Sequence, residues 1–203
     1  MTRPIIFDCD GVLLDWLSGF GAYLRDAHGI TVQDGPPRDF LLSSWMGVTD
    51  LELVRDCVHR FNRNEGGYFA ELEPVHGAVE GVAFLRAAGH GTSVLTQCNP
   101  DPETVRARCA NLDRVFGSFG NVEFVERGVP KSVSLQTRDP SWFVEDNLAN
   151  AHMGLEAGHD TILIDLPHNR IPNEDRPDLR RVQDWDGILD TIMPAPAVVM
   201  QTP

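Results

Sequence analysis

Pro4-Ile5-Ile6-Phe7-Asp8-Cys9-Asp10-Gly11-Val12-Leu13-Leu14-Asp15 is the stretch whose reading decides this chain. A short apolar run ends in two carboxylates one residue apart, and a glycine follows at once. In a strand that spacing sends both side chains to one face, because side chains alternate with a period of two. Two like charges so close are costly unless a cation lies between them or one carboxyl keeps its proton. A divalent metal with oxygen ligands would resolve the repulsion. The same pair supplies a carboxylate nucleophile beside a carboxylic acid, as acyl-phosphate chemistry requires. Taken alone, the stretch is equally an Asp-rich turn after a strand. A calcium loop of the EF-hand type is excluded, because such a loop needs a third oxygen ligand before its glycine and a Glu at its end.

Working outward, the 203 residues suit one α/β domain, or a core domain with a small inserted one. An apolar fraction of 42% is enough for a packed core. Seventeen Lys and Arg against thirty Asp and Glu give a formal net charge of −13, which argues against a nucleic-acid polymer or an anionic membrane as partner. A small anionic substrate stays compatible, since a local metal and lysine can override the global field. The four cysteines form no CxxC pair and the seven histidines no HExxH, so neither a disulfide framework nor a histidine metal site is expected. The expectation is a reduced, cytoplasmic protein with no signal peptide or membrane span.

Along the chain, strands alternate with helices. Strands are expected at 4–8, 92–95, 122–125, 142–144 and 161–165. Helices are expected after Asp15 to His28-Gly29, from Thr49-Asp50 to about Arg63, and over about 77–88. Others run from Asn99-Pro100-Asp101-Pro102 to about Leu112, and over 130–137, 147–157 and 184–192. This pattern predicts a Rossmann-like parallel sheet with helices on both faces. The helical stretch 16–73 breaks the alternation and reads as a small cap inserted after the first strand. The core is then 1–15 with 74–193, and 194–203 is a proline-broken flexible tail.

Ligands of open α/β sheets sit at the carboxyl ends of the strands. Besides Asp8 and Asp10, those ends carry Thr96 and the pair Glu145-Asp146, and Lys131 stands just before the strand that leads to that pair. Each has an ordinary explanation on its own, as a strand-end hydroxyl, a helix cap or a solvated lysine. In order along one sheet they form an acid–hydroxyl–lysine–acid series.

With these residues the chain resembles the haloacid dehalogenase superfamily of phosphotransferases over residues 4–165. The four motifs match Asp8-x-Asp10-Gly11-Val12-x-x-Asp15, Thr96, Lys131 and Glu145-Asp146. The resemblance implies Mg²⁺ held by Asp8, the backbone carbonyl of Asp10 and Asp146, with Glu145 a further ligand or orienter. Within the superfamily, residues 68–80, Leu166-Pro167-His168-Asn169 and Trp185-Asp186-Gly187-Ile188-Leu189 are similar to the 5′(3′)-deoxyribonucleotidase branch. Thr96-Gln97 and Glu145-Asp146 depart from that branch, and the Glu-Asp form is closer to phosphoglucomutase-like and phosphoglycolate-phosphatase-like members.

The implied activity is that of a phosphomonoester hydrolase. Asp8 is the nucleophile, Asp10 the general acid and base, and Thr96 and Lys131 hold the charge of the transferring group. The expected substrate is a nucleoside 5′- or 3′-monophosphate, with Gln97, Phe40 and Trp45 as candidate substrate-binding residues. The two aromatics would stack on the base or, alternatively, form cap core. A sugar-phosphate or phosphoglycolate phosphatase, a phosphomutase and a non-catalytic phosphate-binding module are the rival readings. A dehalogenase would not need Asp10 as a proton donor. Monomer and homodimer are both compatible with the sequence.

Overall fold

In the computed structural model, residues 2–174 and 176–194 are described. The tail expected at 194–203 therefore lies outside the described residues apart from Pro194. Six parallel strands form one sheet: β1 (Ile5–Phe7), β2 (Thr92–Gln97), β3 (Val122–Val125), β4 (Trp142–Glu145), β5 (Asp160–Ile164) and β6 (Arg180–Val182). Their order is β3-β2-β1-β4-β5-β6. It is the doubly wound order, in which the direction of winding reverses between β1 and β4 and opens a crevice at their carboxyl ends. The register Phe7↔Val144 brings the ends of these two strands side by side.

The helices are α1 (Trp16–His28), α2 (Ser43–Met46), α3 (Leu51–Asn62), α4 (Ala78–Ala87), α5 (Pro102–Phe116), α6 (Ser132–Leu135), α7 (Leu148–Glu156) and α8 (Trp185–Ile192). Ile5, Ile6 and Phe7 are all buried, as expected of a central strand covered on both faces. Trp185 locks α8 to this centre. Its ring packs against Phe7 with centroids 5.5 Å apart, and its indole N–H donates to the Val12 carbonyl at 2.9 Å. A Cβ at Gly81 would lie 2.3 Å from the Trp185 ring, so α4 can approach α8 only with glycine there.

The insertion contains α1, α2, α3 and a 3₁₀ turn at Glu65–Glu71. Asp15 caps α1 by accepting from the Ser18 N–H at 3.0 Å, and Asp50 caps α3 through the Glu52 N–H at 2.9 Å. Phe20, Tyr23, Phe61 and Phe69 are fully buried and give the insertion an aromatic core of its own. The chain leaves and re-enters the sheet domain at adjacent points. The Asp15 N–H donates to the Glu73 carbonyl at 2.8 Å, and the Val75 N–H to the Leu13 carbonyl at 2.9 Å.

Three differences from the sequence expectation have local causes. Strand β6 was not expected: it is a three-residue edge strand whose two arginines hide the alternation and suit an edge. Helix α5 continues past Leu112 to Phe116 because its stop signal is Gly117, at φ 68°. Residues 43–46, expected to be irregular, form one helical turn closed by Gly47. Among the described residues no helix is long and apolar enough to cross a membrane.

Candidate active site

The first strand stops at Phe7, so strand alternation alone does not align Asp8 with Asp10. A tight turn continues the arrangement instead. The N–H groups of Leu13 and Leu14 both donate to the Cys9 carbonyl at 2.9 Å, and the Gly11 N–H donates to the Leu14 carbonyl at 2.9 Å. Cys9 is fully buried, while Asp8 and Asp10 both border the cavity at the sheet's carboxyl edge. Gly11 has φ 80°, and a Cβ there would lie 2.3 Å from Asp146 Oδ2. The site needs glycine for both the left-handed backbone and the close carboxylate.

Across the crevice, β4 ends in Glu145, followed by Asp146. Lys131, at the start of α6, reaches between the two sides: its Nζ donates to Asp8 Oδ1 at 2.5 Å and to Glu145 Oε2 at 2.7 Å. Glu145 Oε1 accepts from the Asn147 N–H at 3.2 Å. The carboxylates of Asp8, Glu145 and Asp146 each offer an oxygen within 4.8 Å of the others. Thr96 is buried near the end of β2 and borders the same cavity.

The electrostatics explain what this cluster lacks. Burial raises the Asp8 carboxyl above its ordinary range, against the pull of Lys131, and Asp146 adds to the rise. Burial followed by the repulsion of Asp8 pushes Glu145 well above the usual carboxylate range. Burial works to lower the Lys131 ammonium, but the charges of Asp8 and Glu145 outweigh it and hold that group above its usual range. One ammonium thus faces three carboxylates, and the cluster is short of positive charge. An all-oxygen donor set with excess negative charge fits a hard divalent cation such as Mg²⁺. Asp8, Asp146 and Glu145 are the side chains that could hold it. The backbone carbonyl of Asp10 was a further expected ligand by resemblance.

Asp10 is held differently. Its Oδ1 accepts from Arg108 Nη2 at 2.6 Å. Burial raises its carboxyl to about 6 although Arg108 works to lower it. Sequence reasoning missed Arg108, yet a signal was present. Thr104, Ala107, Arg108, Asn111 and Leu112 recur at helical spacing on the buried face of α5, so three polar residues stand where apolar ones are expected. Each has a partner outside the helix's interior. Thr104 Oγ1 donates to the Asn62 carbonyl at 3.2 Å, Asn111 Nδ2 to the Leu72 carbonyl at 2.9 Å, and Arg108 to Asp10.

His168 and Asn169 were noted only for their resemblance and were given no role. They follow β5, and inspection of that strand's end would have found them. Asn169 Nδ2 donates to the Asp146 carbonyl at 2.6 Å and to the Ile164 carbonyl at 2.7 Å, which fixes the backbone that carries Asp146. His168 Nε2 lies 3.5 Å from Asp146 Oδ2.

The cavity measures about 560 Å³ and is closed on the far side by the insertion, including Leu17, Phe40, Leu42, Val54 and Val58. Phe40 is 54% exposed on this wall, and its ring meets His168 edge-on with centroids 4.5 Å apart. Gln97 also borders the cavity and donates from Nε2 to the Val129 carbonyl at 2.8 Å. Trp45 does not border it. It is 7% exposed in the core of the insertion, stacked on Phe20, with its indole N–H donating to the Gly35 carbonyl at 2.8 Å. The sequence expectation of a substrate-binding Trp45 is corrected: the ring satisfies its apolar body and its one donor inside the insertion.

No family model and no curated protein matches the chain. Solved structures do. A haloacid dehalogenase-like hydrolase, SP0104 from Streptococcus pneumoniae, superposes with a TM-score of 0.62 at 18% identity, over 94% of this chain and 98% of that one. The L-2-haloacid dehalogenase of Xanthobacter autotrophicus, with chloropropionic acid covalently bound, gives 0.56 at 17% identity, over 95% and 100%. CbbY from Rhodobacter sphaeroides, in complex with phosphate, gives 0.55 at 17% identity, over 91% and 95%. At these identities the likeness is one of fold: the chain shares the overall architecture of these three solved structures.

Proposed function

We propose that the protein is a Mg²⁺-dependent phosphomonoester hydrolase that works through an aspartyl-phosphate on Asp8. The observation that carries this reading is the junction at the β1/β4 crevice. A carboxylate held by a buried lysine, a second carboxyl on the same side and two further acids all border one cavity. The fold neighbours include a dehalogenase with chloropropionic acid covalently bound and a protein in complex with phosphate. The presence of Asp10 favours phosphate esters, because expelling an alkoxide calls for a proton donor and expelling a halide does not.

In the first step an Asp8 oxygen attacks the phosphorus in line. The P–O bond to the alcohol breaks, and Asp10 gives its proton to the leaving oxygen. In the second, a water oxygen attacks the phosphorus, Asp10 takes up the proton that the water loses, and the bond to Asp8 breaks to release phosphate. Lys131 and Thr96 stabilise the charge on the transferring group. The cation, when bound by Asp8, Asp146 and Glu145, neutralises the carboxylates and phosphoryl oxygens so that one anion can approach another.

Within this class the substrate we favour is a nucleoside monophosphate, with its base on the apolar wall where Phe40 is more than half exposed. The polar lining around His76, Asn147 and Asn150 also suits a sugar phosphate, and that is the second reading. Initial rates over a panel of nucleoside monophosphates, sugar phosphates and phosphoglycolate separate the two. Acid quenching during turnover tests the chemistry, since an aspartyl-phosphate survives acid and is cleaved by hydroxylamine. Turnover without any such phosphoprotein, or equal rates with Asp8→Asn, would refute the covalent mechanism.

A further inference from the structure

Arg108 is fully buried, does not border the cavity, and yet is joined to a residue that does. Its Nη2 donates to Asp10 Oδ1 at 2.6 Å, while its guanidinium carbon lies 3.9 Å from the centroid of the Phe69 ring. Nε and Nη1 are buried and have no hydrogen-bond partner among the described residues. Asp10 keeps 28% of its side chain exposed, towards the cavity, and among the described residues its Oδ2 accepts no hydrogen bond.

Resting on the phosphoryl-transfer reading above, we propose that Arg108 is a positioning residue that decides which oxygen of Asp10 handles the proton. A guanidinium has donors and no acceptor. Oδ1, bound to Nη2, therefore has no room for a proton in that bond, and a protonated Asp10 carries its proton on Oδ2, the oxygen left free on the cavity side. The Phe69 ring holds the guanidinium plane, and the plane fixes the carboxyl rotamer. Oδ2 then delivers the proton to the ester oxygen as its P–O bond breaks, and accepts one from water in the second step.

A purely structural role explains less. As structure alone the Arg108–Asp10 pair strands two buried donors, and a buried ion pair replaced whole by apolar side chains often loses no stability.

The test is single-turnover phosphoenzyme formation from an alkyl phosphate and from an aryl phosphate with a good leaving group. It compares wild type with Arg108→Met, Arg108→Lys, Asp10→Asn and the double variant Asp10→Asn/Arg108→Met. Loss of positioning should slow the alkyl ester by about 10²-fold. The aryl ester, which needs little proton donation, should slow by less than about tenfold. Arg108→Lys should recover part of the loss, and Arg108→Met should add nothing in the Asp10→Asn background. If Arg108→Met does not fold, Arg108→Lys and Arg108→Gln carry the same comparison. A variant that slows both esters alike, or a further loss on top of Asp10→Asn, overturns the positioning role alone. Wild-type protein that forms no phosphoenzyme from either ester overturns the phosphoryl-transfer reading, and this inference falls with it.

Discussion

Lys131 and Glu145 form an ion pair at 2.7 Å in which neither side chain is more than 1% exposed. The same ammonium also holds Asp8 at 2.5 Å. Such a bridge is weak support for stability as a pair, but removing one partner leaves buried charge without compensation. Lys131→Met should therefore destabilise the metal-free protein by about 3–5 kcal/mol. Part of that loss should return when Mg²⁺ is added, because binding to the folded state alone stabilises it. Urea unfolding in chelator and in excess Mg²⁺ measures both. An unchanged midpoint in chelator would mean that the carboxylates tolerate the loss of the ammonium that pairs with them.

Gly11 provides a separate handle on the cation site. Alanine at φ 80° strains the backbone, and its Cβ would sit 2.3 Å from Asp146 Oδ2, so this carboxylate must move. Gly11→Ala should cost about 1–2 kcal/mol of stability through the backbone. Its larger effect should be on cation use, read as at least a tenfold rise in the Mg²⁺ concentration that gives half-maximal activity. A variant with normal Mg²⁺ dependence would show that Asp146 is not required at its present position.

The parallel sheet was legible because its strands are short apolar runs closed by polar residues, and Asp8, Thr96 and Glu145 mark three of their ends. Lys131 was legible only as part of that series, since nothing local distinguishes it from a solvated lysine. The helical spacing that places Arg108 with Thr104, Asn111 and Leu112 gains meaning only once the buried face of α5 is known; until then an arginine in a helix of mixed charge reads as surface. The sequence leaves Trp45 open between base stacking and cap core; its position within α2 turns it inward, while Phe40 and Leu41 stay exposed. Which of two aromatics five residues apart, one before the single turn of α2 and one within it, faces inward depends on tertiary packing that periodicity over so few residues does not resolve.

Asp165 makes the acid limb of stability testable away from the reacting groups. It accepts from Arg170 Nε and Nη2 at 3.0 Å each and from Gln183 Nε2 at 2.9 Å. The hydrogen bond from Arg170 is the main cause that holds its carboxyl below the ordinary aspartate value. A depressed folded value means stability that is complete above the unfolded value of about 3.9 and is lost as pH falls through the folded one. Asp165→Asn should therefore be less stable than wild type at pH 7, and the difference should shrink below about pH 4 and vanish in stronger acid. Thermal melts across that range check it. A difference that persists unchanged into strong acid would assign the loss to packing and not to charge.

Phe40 and Trp45 now predict opposite outcomes. Trp45 is buried in the insertion with its donor satisfied, so Trp45→Ala should cost about 3–5 kcal/mol of stability and shift no substrate preference among the molecules that remain folded. Phe40 is 54% exposed on the cavity wall, so Phe40→Ala should leave the unfolding midpoint nearly unchanged. If a base stacks there, the contact is worth roughly 1–3 kcal/mol, or about five- to 150-fold in kcat/KM for nucleoside monophosphates. A small generic ester, which cannot reach the wall, should be affected little. Binding made at that remote wall can also be used at the reacting phosphate, so the loss should appear in kcat as well as KM. If sugar phosphates lose as much as nucleotides in Phe40→Ala, the ring shapes the cavity without reading a base, and the nucleotide assignment fails while the chemistry at Asp8 stands.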